Sequence, residues 1–248
     1  MTKHTPVETT DIRAIRGHAS QVWTAGLERR FALMKRYVPL ERKRILDAGC
    51  GVGAFVSRFR EFSDAVCGFD VERPSVLRGI QEVPDLMLAV AERLPYKDGT
   101  FDVILMHEVL EHVGDDLASL REMRRVLAPG GWLVVFCPNR LYPFETHGIF
   151  IGKKYVFGNM PFVNYLPDFL RNRLVPHARA YRKGQLRRIY REAGLAAELH
   201  SFVFPGFDHV MARRKIVGRL LRWLLYPLEN TRLRIFGLSH FVVLKRKE

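Results

Sequence analysis

Little in this chain suits a disulfide scaffold or a membrane span. Its 248 residues include only three cysteines, Cys50, Cys67 and Cys137. An odd, sparse set gives no disulfide framework and fits a reducing compartment. None stands in a metal-type C-x-x-C pair, and Cys50 reads as a small packing residue. No apolar run reaches the ~18 residues expected of a membrane span. The opening MTKHTPVETTDIR is polar and unlike a signal peptide. Internal repeats, low-complexity tracts and a separate second domain are also missing. Acidic residues are scarce at the back. From Arg171 to Glu248 there are 18 Lys/Arg against 5 Asp/Glu, so 18 − 5 = +13 of the total +14 lies there. The front two thirds are nearly neutral, and the basic back points to an anionic partner or surface.

What is present is a soluble composition, 48% hydrophobic and 27% charged, with length for one embellished α/β domain. The chain is organised around Ile45–Phe55, ILDAGCGVGAF. Ile45 and Leu46 read as the end of a buried strand and Asp47 as its carboxyl-end residue. Gly49, Gly51 and Gly53 make a turn that backbone or ligand can approach closely. Phe55, Val56 and Phe59 open a helix. Strand, glycine turn and helix form the first unit of a doubly wound sheet, whose ligands sit at the strands' carboxyl ends. A dinucleotide fingerprint fits only loosely, through Gly49, Gly51 and Ala54. Asp47 would repel a pyrophosphate and suits a cationic ligand group.

The string D-x-G-C-G-x-G at 47–53 resembles the first motif of class I S-adenosylmethionine-dependent methyltransferases. A second likeness is the passage from the helix Leu117–Leu127 through Pro129-Gly130-Gly131 into a strand Trp132–Cys137. The nearest subtype is the small-molecule group that includes the ubiquinone-biosynthesis enzymes. The resemblance spans about Lys43–Leu133. It implies an α/β fold, a doubly wound Rossmann-like sheet of seven strands, mostly parallel with an antiparallel last strand. It also implies S-adenosyl-L-methionine as cofactor, with a binding shell of Asp47, Gly49, Cys50, Gly51, Asp70, Val71, Ala91, Glu92 and His107. Asp70, ~20 residues past the glycine turn, is expected to accept the ribose hydroxyls. Where relatives often carry an acid for adenine, this chain has Val90, so Glu92 or the Ala91 amide stands in.

HEVLEHV follows the fourth strand. On a helix, Glu108, Glu111 and His112 would share one face through i, i+3, i+4 spacing. The E-x-x-E-H string resembles that of methyltransferases associated with a metal, which implies a divalent ion such as Mg on these three residues. The alternative is that Glu111 and His112 hydrogen-bond to neighbouring loops. His147, in an aromatic-rich insertion, is the candidate general base, a fourth metal ligand, or neither.

The expected organisation is a single domain: a cap helix within 1–40, a cofactor core 41–138, a substrate insertion 139–181 and a basic amphipathic insertion 206–238. The cap is read as a helix over His18–Val38. In the last insertion, MARRKIVGRLLRWLLYPLE either lies in an anionic membrane interface or packs its apolar face on the sheet. Three functions compete. The first is O-methylation of a small or lipid-linked molecule by a cytoplasmic enzyme, peripheral at the inner face of a membrane. The second is RNA methylation through the basic surface, less favoured because its charges are interleaved with Leu, Trp and Ile. The third is a non-catalytic cofactor-binding scaffold.

Overall fold

A computed structural model describes residues 24–247. Residues 18–22 and Trp23 of the expected cap helix lie outside them. The described part is α1, Ala25–Lys35, capped by Thr24, whose side chain accepts from the Leu27 amide. The chain continues through β1 Ile45–Ala48, α2 Ala54–Phe59, β2 Val66–Asp70, α3 Arg73–Gly79, β3 Leu86–Leu88 and β4 Phe101–His107. Then come α4 Asp116–Val126, with Asp115 as its side-chain cap, and β5 Leu127–Pro138.

The insertion after β5 is not a bare loop. It holds four short strands, β6 Phe144–Glu145, β7 Ile149–Ile151, β8 Lys154–Val156 and β9 Met160–Pro161, and a short helix α5 Asp168–Leu174. The strands pair as two antiparallel ribbons. Beyond it run α6 Lys183–Glu192, β10 Leu195–Val203, α7 Asp208–Arg213, α8 Lys215–Leu225, two 3-10 turns (Tyr226–Asn230 and Arg232–Phe236) and β11 Ser239–Arg246.

Seven strands form one sheet in the order β10-β11-β5-β4-β1-β2-β3. The five strands from β5 to β3 are parallel. β11 is antiparallel to both β5 and β10, so the odd strand sits inside the sheet. Its run HFVVL is buried residue by residue, as a strand covered on both faces requires. Two apolar layers flank the sheet. One is built on Phe31, Phe55, Phe59 and Leu105, with α1 and α2. The other is built on Leu120, Met123, Leu186 and Tyr190, with α4 and α6. Gly194 ends α6 with φ +77, where an L side chain would be strained.

Three expectations are corrected here. The stretch HEVLEHV is not a helix. β4 ends at His107, the Glu108 amide still bonds to Phe136 O, and Glu108 then turns at φ +55. That left-handed residue breaks the i, i+3, i+4 register on which a shared face depends. Pro129-Gly130-Gly131 lies within β5, not ahead of it, and the β4–β5 register shifts there. The basic segment is two helices, because Arg214 (φ −143, ψ 77) interrupts it between α7 and α8.

Candidate active site

The carboxyl ends of β1, β2 and β4 open into one cavity of about 800 Å³. One end of it is the glycine turn. Gly49 has φ +73, and a Cβ there would stand 2.3 Å from Val109 Cγ2. Gly49 and Cys50 both donate their amides to Phe69 O, which ties the turn to β2. Asp70 braces it from the side: its Oδ2 accepts from the Gly51 amide at 2.8 Å and its Oδ1 from the Glu72 amide at 2.7 Å. A carboxylate has about four lone-pair sites, so acceptor capacity remains.

Asp47 is 2% exposed, and its Oδ2 has no hydrogen-bond partner among the described residues. Burial, and then the Asp70 charge, push its carboxyl well above the usual carboxylate range. A buried acid left in this condition is stabilised by a cation brought beside it. Cys50 packs against Gly68, where a Cβ would lie 2.7 Å from its own. Burial raises its thiol, so it is an inert wall residue.

The floor is a network that α1 supplies. Arg30 Nη1 donates to Glu108 Oε1 at 2.5 Å and to His107 Nε2 at 2.8 Å; its Nη2 donates to Ser239 Oγ at 2.9 Å. Ser239 in turn donates to Glu108 Oε1 at 2.7 Å. Burial opposes the Glu108 charge, but Arg30 overrides it and holds the carboxyl below the usual range. Burial, and then Arg30, bring His107 down to about 3, so it is neutral.

The far wall is shared by the loop after β4, through His112, and the insertion, through His147, with the buried Glu111 behind them. Glu111, His112 and His147 each offer a ligand atom, all within 4.8 Å of one another. Neither Glu111 carboxylate oxygen has a hydrogen-bond partner among the described residues, although the residue is 2% exposed. Burial, and then Glu108, push its carboxyl well up. His112 Nδ1 donates to His177 O at 2.9 Å, which leaves Nε2 as its lone pair. Burial, and then His147, bring it down to about 4. His147 Nδ1 donates to Glu145 Oε1 at 2.8 Å, and its Nε2 stands 3.9 Å from Glu111 Oε1. Glu145 is fixed from behind by the buried Arg171, Nη2 to Oε2 at 2.6 Å. Arg171 is itself held by Ala178 O at 2.7 Å and Asn164 Oδ1 at 3.3 Å.

The cavity thus has a buried unpartnered acid at one end and an imidazole cluster at the other. Comparison with known proteins bears on the front of the chain. Residues 46–135 match the family described as Methyltransferase domain. Over residues 46–135 the chain is similar to a methyltransferase domain.

Among curated relatives of the domain, a ubiquinone biosynthesis O-methyltransferase of Parvibaculum lavamentivorans is 33% identical over 53% of this chain and 54% of its own. A demethylmenaquinone methyltransferase of Beutenbergia cavernae is 32% identical, over 52% and 59%. The chain thus spans little more than half the length of these relatives. A solved S-adenosylmethionine-dependent methyltransferase of Mesorhizobium loti superposes with TM-score 0.62, 21% identity and coverage of 90% of this chain and 98% of that one. Another neighbour, at TM-score 0.59 and 19% identity over 93% and 84%, is named as a [4+2]-cyclase. The fold is shared across different reactions, so the reaction must be argued from the site.

Asp47, Gly49, Cys50, Gly51, Asp70, Val71, Ala91, Glu92 and His107 all line the cavity, as do Glu108, His112 and His147. Glu92 is partly committed: its Oε1 accepts from the Gly114 and Asp115 amides at 2.8 and 3.1 Å. Glu108 acts on Glu111 but is not one of the three residues whose ligand atoms converge, because Arg30 and Ser239 hold its carboxylate on the floor. His147 takes its place in the cluster. Thr24, Gly26, Leu27 and Arg30 bring the described part of the leading helix to the cavity rim. Sequence reading passed over Arg30, Arg171, His177 and Ser239. Their one signal was apolar context, since a lone Arg in RFALM or a Ser in GLSHFVVL must find a partner when buried.

Proposed function

We propose that the chain transfers a methyl group from S-adenosylmethionine to a hydroxyl oxygen of a small or lipid-linked acceptor. The observation that carries the reading is Asp47: a buried, unpartnered carboxylate beside a glycine turn, in the same cavity as an imidazole cluster. Asp47 and the glycine turn would hold the methionine part, Asp70 the ribose, and Val71, Ala91 and Glu92 the adenine side. S-adenosylmethionine supplies the methyl and, through its sulfonium, the chemical drive. The residues orient the acceptor oxygen in line and exclude water, an effect that can contribute ~7–11 kcal/mol of barrier lowering. As the O–CH3 bond forms and the S–CH3 bond breaks, the hydroxyl proton must leave. His147 can take it at Nε2, since Glu145 occupies Nδ1.

The relative named as a ubiquinone biosynthesis O-methyltransferase supports a hydroxyl acceptor, and the one named for demethylmenaquinone supports a lipid-linked acceptor without saying which atom is methylated. In this reading residues 1–40 act as a cap, 41–138 as the cofactor core, 139–181 as the acceptor wall and 206–238 as the basic insertion. The chain would work in the cytoplasm, peripheral to the inner face of a membrane. Among the described residues no helix is long and apolar enough to cross one.

Glu111, His112 and His147 fit a divalent cation, since both Glu111 oxygens are buried without partners and each imidazole keeps its Nε2 lone pair. One carboxylate and two imidazoles suit an imidazole-accepting first-row ion better than Mg, which prefers oxygen. Such an ion would lower the acceptor hydroxyl's pKa. His147 Nε2 can serve as base or as ligand, not both. Chelation separates the roles: full activity in a chelator assigns the proton to His147, and lost activity assigns His147 to the ion. The acceptor itself is tested by metabolite and lipid profiling of a strain lacking the chain. A species lighter by one methyl group is expected, and an unchanged profile contradicts the reading.

A further inference from the structure

The segment Asp208–Phe236 carries an apolar face that nothing in the described residues covers. On α8, Ile216 is 82% exposed, Trp223 72%, and Leu220, Leu224 and Val217 between 42% and 51%. At roughly 100° per residue these five fall in one arc of about 120°. The inward arc is Gly218, Leu221 and Leu225, with Gly218 packed so closely on Met211 that a Cβ would meet its sulfur at 2.6 Å. Lys215, Arg219 and Arg222 occupy the remaining side. The helix therefore points its larger apolar face outward, opposite to the alternative in which that face packs on the sheet. Leu233, Ile235 and Phe236, in the following 3-10 turns, are exposed as well.

Charge decides what can cover this face. Between Asp208 and Glu229 the chain has five Lys/Arg (Arg213, Arg214, Lys215, Arg219, Arg222) and no acid. The two bounding acids are turned to internal partners. Asp208 accepts from Arg222 and from the Gly26 amide; Glu229 pairs with Arg29 and accepts from the Phe204 amide. Arg213, Arg214, Lys215 and Arg219 are exposed and have no ion pair among the described residues. An apolar stripe with an exposed Trp, flanked by uncompensated cations, matches a surface with apolar depth and a negative skin.

We propose that α8 and the 3-10 turns after it are a docking surface for an anionic lipid bilayer. The surface is joined to the cavity. Arg222 Nε donates to Gly206 O at 2.8 Å, and Gly206, Asp208 and Gly26 all line the cavity rim. The inference rests on the lipid-linked acceptor only in this: a docked rim would let such an acceptor pass from bilayer to cavity without crossing water.

The test is co-sedimentation of the full chain with vesicles of phosphatidylcholine alone and of phosphatidylcholine with phosphatidylglycerol, with S-adenosylmethionine binding and thermal melting measured in parallel. Binding to the anionic vesicles is expected, weakened by raised salt, with a blue shift of Trp223 fluorescence that the Trp223→Phe variant lacks. Ile216→Glu with Leu220→Glu should weaken partition at least tenfold while melting and cofactor binding hold. Arg213→Gln with Arg219→Gln should remove most of the salt-sensitive part. Three results would overturn the proposal: a folded chain that ignores anionic vesicles, vesicle binding that survives Ile216→Glu/Leu220→Glu, or a dimer that those substitutions dissolve with no vesicle binding. Bulk RNA binding without vesicle binding would assign the cations to nucleic acid and also overturn it. Vesicle binding by a chain that fails to bind S-adenosylmethionine would leave the surface standing and remove the functional reading.

Discussion

Glu145 shows how one residue can set a site it does not enter. Its carboxylate joins Arg171 behind to His147 in front; Glu145 and Arg171 are buried, and His147 reaches the cavity. Burial opposes the charge, but the His147 hydrogen bond and Arg171 bring the carboxyl down to about 2. The folded value lies below the unfolded one, so this group's stabilisation is present above about pH 4.5 and is lost as pH falls toward 2. Removing one partner of a buried pair leaves the other uncompensated. Glu145→Ala should therefore destabilise the chain by about 3–5 kcal/mol. Glu145→Leu with Arg171→Met should cost far less, and urea unfolding of the two variants checks the difference. Gly49 is a second such residue. Gly49→Ala puts a strained φ and a Cβ 2.3 Å from Val109 into the turn, so a loss of cofactor affinity of at least tenfold is expected by calorimetry. The glycine turn was legible because glycine spacing is a local requirement. Arg30 and Arg171 were not, because their partners lie 78 and 26 residues away.

Strands β10 and β11 carry a hydrogen-bonded histidine pair that the site does not use. His200 Nε2 donates to His240 Nδ1 at 3.0 Å, and His240 Nε2 donates to Tyr181 O at 2.8 Å. That chain of bonds requires a neutral His240, whose Nδ1 must accept, while burial disfavours charge on His200. Burial, and then nearby cations or the partner ring, bring His200 to about 3; burial, then Lys183, brings His240 to about 4. The unfolded chain takes protons first, so stability is present above about pH 6.5 and is lost as pH falls toward 4. Each ring adds about 1.4 kcal/mol per pH unit within that window. His200→Phe should remove one ring's share of the slope, read from urea unfolding at several pH values. At this scale the regular elements were legible, since buried parallel strands are continuous apolar runs and α6 ends at a glycine. HEVLEHV misled because helical spacing says which residues would share a face if a helix forms. The chain instead extends its β4–β5 ladder to Glu108 and turns left-handed there. The pairing that decides this is with Phe136, a non-local partner.

Over the whole molecule, charge divides along the chain. The nearly neutral front builds the glycine-turn end of the cavity, and the region after β5 adds His147 to the far end and carries the basic surface. The sheet and the glycine turn could be read from sequence because they rest on a motif and on periodicity. The far end could not: Glu111 lies before β5, His147 and Glu145 after it, and only the folded ribbons of the insertion bring them together. The outward turn of α8 was also unreadable, since an amphipathic pattern does not say which face meets the protein. A chain with the Glu111, His112 and His147 cluster should take up an imidazole-accepting divalent ion, and His112→Ala should abolish that uptake in equilibrium dialysis. The most direct test of the central claim, that this cavity holds S-adenosylmethionine, is isothermal titration of that ligand into the full chain. One saturable site is predicted, weakened at least tenfold by Asp47→Ala and by Asp70→Ala, as the loss of contacts to charged groups implies, with the thermal melt retained. A folded chain that gives no binding heat, or affinities untouched by both substitutions, would contradict the account.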